Sequence, residues 1–199
     1  NGNISGQSWV SAGDRVIRQN RYSYDNANRL LKADFVQKRS FSDYWQKSFN
    51  YDSYMGDGAT SSSAYDHNGN IRQMQQWGWS VNSTATKIDN LTYTYQAGST
   101  ATQTFSNRLR AVSDSETPAT GLGDFTNKNT TADDYGYDVN GNLVTDMNKR
   151  ILGGTGDVPT TGAIVYNHLN LPVSINVTQD GSSTQKGYIT YTYDASGAK

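Results

Sequence analysis

The chain has no cysteine and almost no proline: its 199 residues include 0 Cys and 3 Pro. Without cysteine there is no disulfide framework, no thiolate nucleophile and no zinc site built on sulfur ligands. No apolar run approaches the roughly 18 residues that a membrane-spanning helix requires. We therefore predict neither a membrane span nor any cysteine chemistry.

An excess of charge of one sign is also missing. Lys and Arg total 17 against 18 Asp and Glu, which gives a formal net charge of −1. A nucleic-acid interface needs basic residues concentrated on one face, and here they are scattered along the chain. We predict no nucleic-acid partner.

Aliphatic residues are scarce, whereas aromatic residues are abundant. Hydrophobic residues make up 34% of the chain, and they include 14 Tyr, 5 Phe and 4 Trp. Aromatic side chains suit the half-buried faces of β-strands, where they pack against cross-strand neighbours. The composition favours extended sheets over one large globular core.

A tyrosine–aspartate motif recurs along the chain at intervals of about 27 to 42 residues, a range typical of stacked structural repeats. Two looser copies are centred on Tyr95 and Tyr166. The strong copies contain Tyr24 and Asp25; Tyr65, Asp66, Gly69 and Asn70; Tyr137, Asp138, Gly141 and Asn142; and Tyr193, Asp194 and Gly197.

Each strong copy has the chemistry of a β-hairpin. Paired tyrosines such as Tyr22 and Tyr24 alternate in the manner of a strand, so both face one side of the sheet. The aspartate that follows ends the strand by accepting hydrogen bonds from the backbone N–H groups of the turn. The glycine supplies the positive φ that a tight hairpin loop requires, and in the first copy Asn28 takes its place.

The segment from Arg29 to Gln37 is open to two interpretations. Leu30, Leu31 and Phe35 could share one face of a helix, but the same segment also alternates as a strand. The preceding turn favours the strand, and we expect little or no helix anywhere. The fold prediction is all-β: about six hairpin units over residues 1–199, centred on Tyr24, Tyr65, Tyr95, Tyr137, Tyr166 and Tyr193.

The two ends resemble parts of the repeat. Asn1–Ile4 matches Asn68–Ile71, and Asp194–Lys199 stops where a return strand should begin. We expect the chain to be an internal segment, truncated at both ends, of a longer repeat array.

These residues resemble the Rhs/YD-repeat family, which includes bacterial polymorphic toxins, the C component of insecticidal toxin complexes and animal teneurins. The resemblance rests on the four strong copies and on the stretch Ile164–Pro172, and it covers nearly the whole chain. It implies a long antiparallel sheet that spirals into a hollow shell, which in toxin members encloses a C-terminal toxic domain. The family's Asp-Pro-type self-cleavage region is absent from these residues.

The resemblance also implies partners and a location. The expected partners are the neighbouring repeats of the same polypeptide, an enclosed toxin domain or secretion machinery. The expected location is the cell surface or the exterior of a bacterium. The expected role is non-enzymatic, and an alternative is a cell-surface adhesin that recognises glycans or proteins through an aromatic face.

Three polar segments also invite a ligand-binding interpretation. The turns that begin at Asp66 and Asp138 could be calcium loops, but they lack the glycine and glutamate spacing of an EF-hand. The segment Gly153–Asp157 is similar to a phosphate loop or a calcium nonapeptide, yet it lacks the Lys-Ser/Thr pair and does not repeat in tandem. We interpret the first two as hairpin turns and the third as a loop, and predict no metal and no cofactor.

The remaining candidates are histidines, paired carboxylates and tryptophans. His67 and His168 both fall at turns and are predicted to be solvated, and the Asp133-Asp134 pair is predicted to be a solvated entry to a strand. We therefore predict no catalytic residues. Trp77 and Trp79 flank Gly78 on one strand, where they could form a binding platform or pack against neighbouring strands.

Overall fold

The computed structural model describes residues 2–47, 49–79, 85–97, 106–116, 123–129, 132–152, 162–180, 182 and 184–199. The predicted loop Gly153–Asp157 lies outside the described residues. The described elements are β1 (Gly6–Val10), β2 (Ile17–Tyr24), β3 (Leu30–Lys38), β4 (Ser53–Met55), α1 (Ser61–Ala64), β5 (Gln73–Trp79), β6 (Ala85–Tyr95), β7 (Leu109–Asp114), β8 (Tyr135–Tyr137), β9 (Leu143–Asp146), β10 (Ile164–Tyr166), β11 (Pro172–Thr178) and β12 (Gln185–Thr190).

The prediction of an all-β fold is confirmed. The described strands form a seven-stranded sheet in the order β1 to β7, a two-stranded sheet of β8 and β9, and a three-stranded sheet of β10 to β12. Strands that are consecutive in the chain are neighbours in each sheet, as expected when hairpins follow one another. None of the sheets formed by the described residues closes on itself.

The chain divides into two compact units. The first comprises Asn1–Tyr93 with Ser113–Phe125, and the second comprises Thr94–Val112 with Thr126–Lys199.

In the first unit, β2 and β3 form the longest described hairpin. Their register runs from Ile17 opposite Lys38 to Tyr24 opposite Leu30, with a shift between Ser23 and Tyr24 that marks a β-bulge. The prediction that the segment after Arg29 is a strand is confirmed, because β3 covers it. Apolar side chains from this hairpin contribute to the core: Ile17, Leu31, Phe35 and Val36 are all buried.

In the second unit, the core consists mainly of aliphatic side chains from and near short strands. Val144, Met147, Leu152, Ala163 and Ile164 are all buried there. A register shift follows Val165 in the β10–β11 hairpin, as another follows Gly136 in the β8–β9 hairpin. These bulges fall directly before the motif tyrosines.

Two local details refine the prediction. The one described helix, α1, is a single turn of four residues that leads into Tyr65. The last strand, β12, ends at Thr190, so Tyr191 and Tyr193 lie beyond it and not within a strand as expected. The Tyr191 N–H nevertheless donates to the Val173 carbonyl oxygen, which continues the β11–β12 pairing by one bond.

Candidate functional site: the repeated tyrosine–aspartate turn

The turn that begins at Asp138 shows the geometry of the motif. Asp138 Oδ1 accepts hydrogen bonds from the N–H groups of Asn140 at 2.9 Å and Asn142 at 2.8 Å. The Asp138 N–H donates to the Asn142 carbonyl oxygen, and the Gly141 N–H donates to the Asp138 carbonyl oxygen. Asp138 therefore forms hydrogen bonds across the turn through both its side chain and its main chain.

The same arrangement occurs in four further turns. In each, the side-chain Oδ1 of the first residue accepts the N–H groups two and four positions later. The first residues of these turns are Asp25, Asp66, Asn167 and Asp194. Asn167 shows that an amide oxygen can replace the carboxylate, which explains why the looser copy still forms a turn.

The fourth position of each turn has a positive φ. The angle is +87° at Gly69 and Gly141 and +83° at Gly197, and it is +62° at Asn28 and +57° at Asn170. Glycine adopts this region without steric cost, and asparagine is among the residues that tolerate it best.

The two asparagines also connect successive turns. Asn28 Oδ1 accepts a hydrogen bond from the side-chain amide of Asn3 at 2.9 Å. Asn170 Oδ1 accepts one from Asn142, also at 2.9 Å. Asparagine in the glycine position therefore adds a contact to the preceding turn that glycine cannot make.

The motif tyrosines link each hairpin to the hairpin before it. The Tyr166 hydroxyl donates to the Leu143 carbonyl oxygen at 2.7 Å, and Leu143 pairs with Tyr137 across the preceding turn. The Tyr193 hydroxyl likewise donates to the Pro172 carbonyl oxygen at 2.9 Å, and Pro172 pairs with Tyr166. The bond thus recurs in register from one repeat to the next.

Three other motif tyrosines also donate to a carbonyl oxygen earlier in the chain. They are Tyr24, bonded to the Ile4 carbonyl oxygen at 2.8 Å, Tyr65, bonded to Leu30 at 2.5 Å, and Tyr137, bonded to Leu109 at 3.0 Å. The sequence predicted that the tyrosines would cover a sheet face but not that their hydroxyls would bond to the preceding repeat. The separation between each tyrosine and its acceptor varies from 20 to 35 residues, so the spacing offered no signal for this bond.

The motif carboxylates are held in their ionised form. Burial of Asp25 opposes ionisation, but hydrogen bonds from the Arg29 backbone, the Arg29 guanidinium and the Ser61 hydroxyl outweigh it and lower the pKa to about 2. The side chain of Asn142 lowers the pKa of Asp138, and that of Ser196 lowers the pKa of Asp194. These carboxylates are therefore structural hydrogen-bond acceptors and are unsuited to proton transfer near neutral pH.

The motif tyrosines are shifted in the opposite direction. Burial raises the pKa of Tyr65, Tyr137 and Tyr166, which keeps each phenol protonated and able to donate its hydrogen bond.

The turn geometry also answers the question of calcium loops. In the turns of Asp66 and Asp138, Oδ1 already accepts two backbone N–H groups. The other oxygen accepts the side-chain amide of Asn70 or Asn142. Because internal donors occupy these oxygens, the structure assigns both segments to hairpin turns.

The histidines sit on the turns themselves. His67 follows Asp66 and His168 follows Asn167, and both side chains are exposed. The exposure agrees with the solvated position predicted for them.

The prediction for Asp133-Asp134 is wrong in part. The Asp133 side chain is 44% exposed and forms an ion pair with Arg110, as a solvated strand entry would. Asp134 is only 2% exposed, and its carboxylate accepts hydrogen bonds from the Val112 N–H at 2.7 Å and the Asn129 side chain at 2.8 Å. It is buried because a strand N–H on a neighbouring element needs an acceptor.

Asp52 makes the equivalent bond in the first unit. It directly precedes β4, is 2% exposed, and accepts the Phe35 N–H at 2.7 Å. Its second oxygen accepts the Tyr54 hydroxyl and the Lys47 ammonium. This second recurring aspartate was not predicted from the sequence. The signal that could have revealed it is an Asp immediately before a short strand.

Trp77 and Trp79 pack against aromatic rings of the same unit. The Trp77 ring centroid lies 4.8 Å from that of Tyr54, and the Trp79 centroid lies 4.4 Å from that of Phe49. The Lys87 ammonium lies 5.1 Å from the Trp77 ring, within cation–π range. These contacts support packing within the sheet for both tryptophans.

A more exposed aromatic group lies elsewhere in the first unit. Trp9 is 38% exposed and Tyr51 is 50% exposed, and the Phe35 ring lies between them at 6.1 and 5.3 Å. With Arg18 and Asn20 they line a cavity of about 420 Å³. The grouping of these residues could not be predicted from the sequence, because the contact depends on the fold.

No family model matches the chain, and neither curated proteins nor solved structures match it. The described residues also include no helix with the length and apolar character needed to cross a bilayer.

Proposed function

We propose that this chain is a wall segment of a secreted or cell-surface bacterial Rhs/YD-repeat protein, in which stacked hairpins build a β-shell around another part of the polypeptide. The observation that carries the proposal is the tyrosine hydroxyl bond to the preceding hairpin, as between Tyr166 and Leu143. Its recurrence in register gives the array a defined way to add one repeat to the next. The role is structural and requires no catalytic residue.

Several features support a wall function. The side chains with the most specific geometry serve the turns and the repeat-to-repeat bonds, and Asp138 and Tyr137 are typical of them. Long antiparallel sheets twist, and those of more than about ten strands tend to curl or split. Additional hairpins of the same kind would therefore extend the array into a curved wall.

The experiment is electron cryomicroscopy of the complete polypeptide that contains this chain. The proposal predicts a hollow shell whose wall includes residues 1–199 and whose interior holds another domain of the same polypeptide. That domain should resist added protease until denaturant opens the wall. A solid sandwich, or an extended array with no enclosed volume, would overturn the proposal.

The alternative function is adhesion through an aromatic surface, and the cavity beside Trp9 and Tyr51 is the observation that favours it. Exposed aromatic rings stack on sugar faces and also serve as anchors in protein interfaces. Adhesion predicts that the chain binds specific glycans on an array and that Trp9→Ala abolishes binding. The control is Trp77→Ala, whose ring packs on Tyr54 and should leave binding intact. An array on which the chain binds no glycan would contradict adhesion through glycans.

A further inference from the structure

Three aspartates of the first unit converge on one point. Asp89 lies in β6, Asp114 is the last residue of β7, and Asp124 lies in the segment 123–125. Each offers a carboxylate oxygen, and these oxygens lie within 4.8 Å of one another. Asp89 is distant in sequence from the other two aspartates, and the fold brings the three together.

The hydrogen bonds of the cluster leave specific oxygens without a partner. Asp89 Oδ1 accepts the Phe125 N–H at 2.9 Å, and Asp114 Oδ1 accepts the Asn90 N–H at 2.8 Å. In contrast, Asp114 Oδ2 and Asp124 Oδ1 are buried and have no hydrogen-bond donor among the described residues. Buried carboxylate oxygens are ordinarily hydrogen-bonded, paired with a cation or bound to a metal.

No described basic side chain neutralises the cluster. None of the described ion pairs includes any of these three aspartates. Asp89 is only 5% exposed.

We propose that Asp89, Asp114 and Asp124 bind a calcium ion that ties β6, the end of β7 and the segment 123–125 together. Carboxylates without histidine or cysteine favour hard cations. Calcium–oxygen distances of about 2.3–2.6 Å allow two ligands of one ion to lie up to about 5 Å apart. Magnesium demands near-ideal octahedral geometry and loses its waters reluctantly, so it suits a site built from protein carboxylates less well.

The proposed ion has a structural role. Asp124 Oδ1 and Asp114 Oδ2 would bind the ion directly, and the ion would offset charges that otherwise repel one another. Its binding therefore stabilises the packing of the segment 123–125, where Phe125 already donates a hydrogen bond to Asp89. The site is distinct from the hairpin turns, because the oxygens in those turns already have internal donors.

The test is thermal unfolding of the 199-residue chain in EDTA, in calcium and in magnesium, together with calorimetric titration of calcium. Calcium at a hundredfold excess over Kd should raise Tm by about 5–10 °C and bind with a stoichiometry near one. Magnesium should raise Tm less. An absence of any calcium-dependent shift, or an equal shift with magnesium, would overturn the assignment.

Asp124→Asn separates binding from simple loss of structure. The variant should lose at least tenfold in calcium affinity, yet in EDTA its Tm should equal or exceed that of the parent chain, since one repelling charge has gone. The control is Asp180→Asn, which removes a carboxylate that is 70% exposed and should keep the full calcium response. A full response in Asp124→Asn, or an equal loss in Asp180→Asn, would contradict the site.

Discussion

The Tyr166 hydroxyl lies 2.7 Å from the carbonyl oxygen of Leu143, the residue that pairs with Tyr137 in the preceding hairpin. The motif tyrosine therefore acts on its neighbouring repeat as well as on its own strand. Stacked repeats depend on such contacts, because each unit cannot bury its faces alone.

Removing one hydroxyl should weaken the link between two hairpins. Tyr166→Phe keeps the ring but loses the bond to Leu143 and leaves that carbonyl oxygen without its donor. We expect a loss of about 1 kcal/mol in unfolding free energy, or a Tm lower by about 2–4 °C. The matched control is Tyr188→Phe, since Tyr188 is 70% exposed. An equal effect in both variants would show that the bond contributes nothing specific.

The first position of the turn should accept asparagine but not alanine. Asp138→Asn retains an Oδ1 acceptor for the N–H groups of Asn140 and Asn142, and Asn167 already fills the same position in its own turn. Asp138→Ala leaves both N–H groups without that acceptor. The asparagine variant loses the Oδ2 acceptor of the Asn142 side-chain amide, so chemical unfolding should place it below the parent, with the alanine variant clearly lower still. The reverse order would contradict the turn geometry.

The fourth position of the turn has a left-handed backbone conformation, so substitutions there should differ in cost according to how well each residue adopts that conformation. Gly69 has φ +87°, and a Cβ there would meet only Arg29 Nη1 at 3.7 Å, so space is not limiting. Gly69→Ala should cost about 1–2 kcal/mol through left-handed strain, and Gly69→Asn should cost less.

Gly187→Ala is the control for that series. Gly187 lies in β12 without a positive φ, and nothing lies within 4 Å of its added Cβ. Urea unfolding should show no loss of stability for this variant. A similar loss at Gly69 and Gly187 would mean that backbone strain does not explain the turn glycines.

Acid should remove the contribution of the motif carboxylates. The folded pKa of Asp25 is about 2 against an ordinary value of 3.8, so its contribution is present above pH 3.8 and is lost as pH falls toward 2. Asp25→Asn should be less stable than the parent at pH 7, and the difference should shrink as the pH falls toward 2. Urea midpoints at pH 7, 4 and 2 would measure this. A difference that stays constant with pH would exclude the ionised carboxylate as the cause.

Local chemistry explains what the sequence could predict. The Asp-to-Gly spacing of the motif is a short-range signal, so the turns at Asp66 and Asp138 could be derived from the residues alone. The strand after Arg29 was predictable for the same reason, since the turn fixes the alternation that follows it.

Contacts across the fold could not be derived in that way. The burial of Asp134 depends on the Val112 N–H on another strand, and the cluster of Asp89, Asp114 and Asp124 joins residues from three segments. Pairing register alone determines such contacts, and a single sequence carries little information on it. The contact of Trp77 with Tyr54 could not be predicted either, because it depends on the pairing of β4 with β5.

Native-state hydrogen exchange of the parent chain and of Tyr166→Phe tests most directly whether the tyrosine bond couples neighbouring hairpins. We predict faster exchange in β10 and β11 and also in β8 and β9, with β2 and β3 unchanged. Acceleration confined to the turn 166–171, or spread evenly over all these strands, would contradict coupling between adjacent repeats.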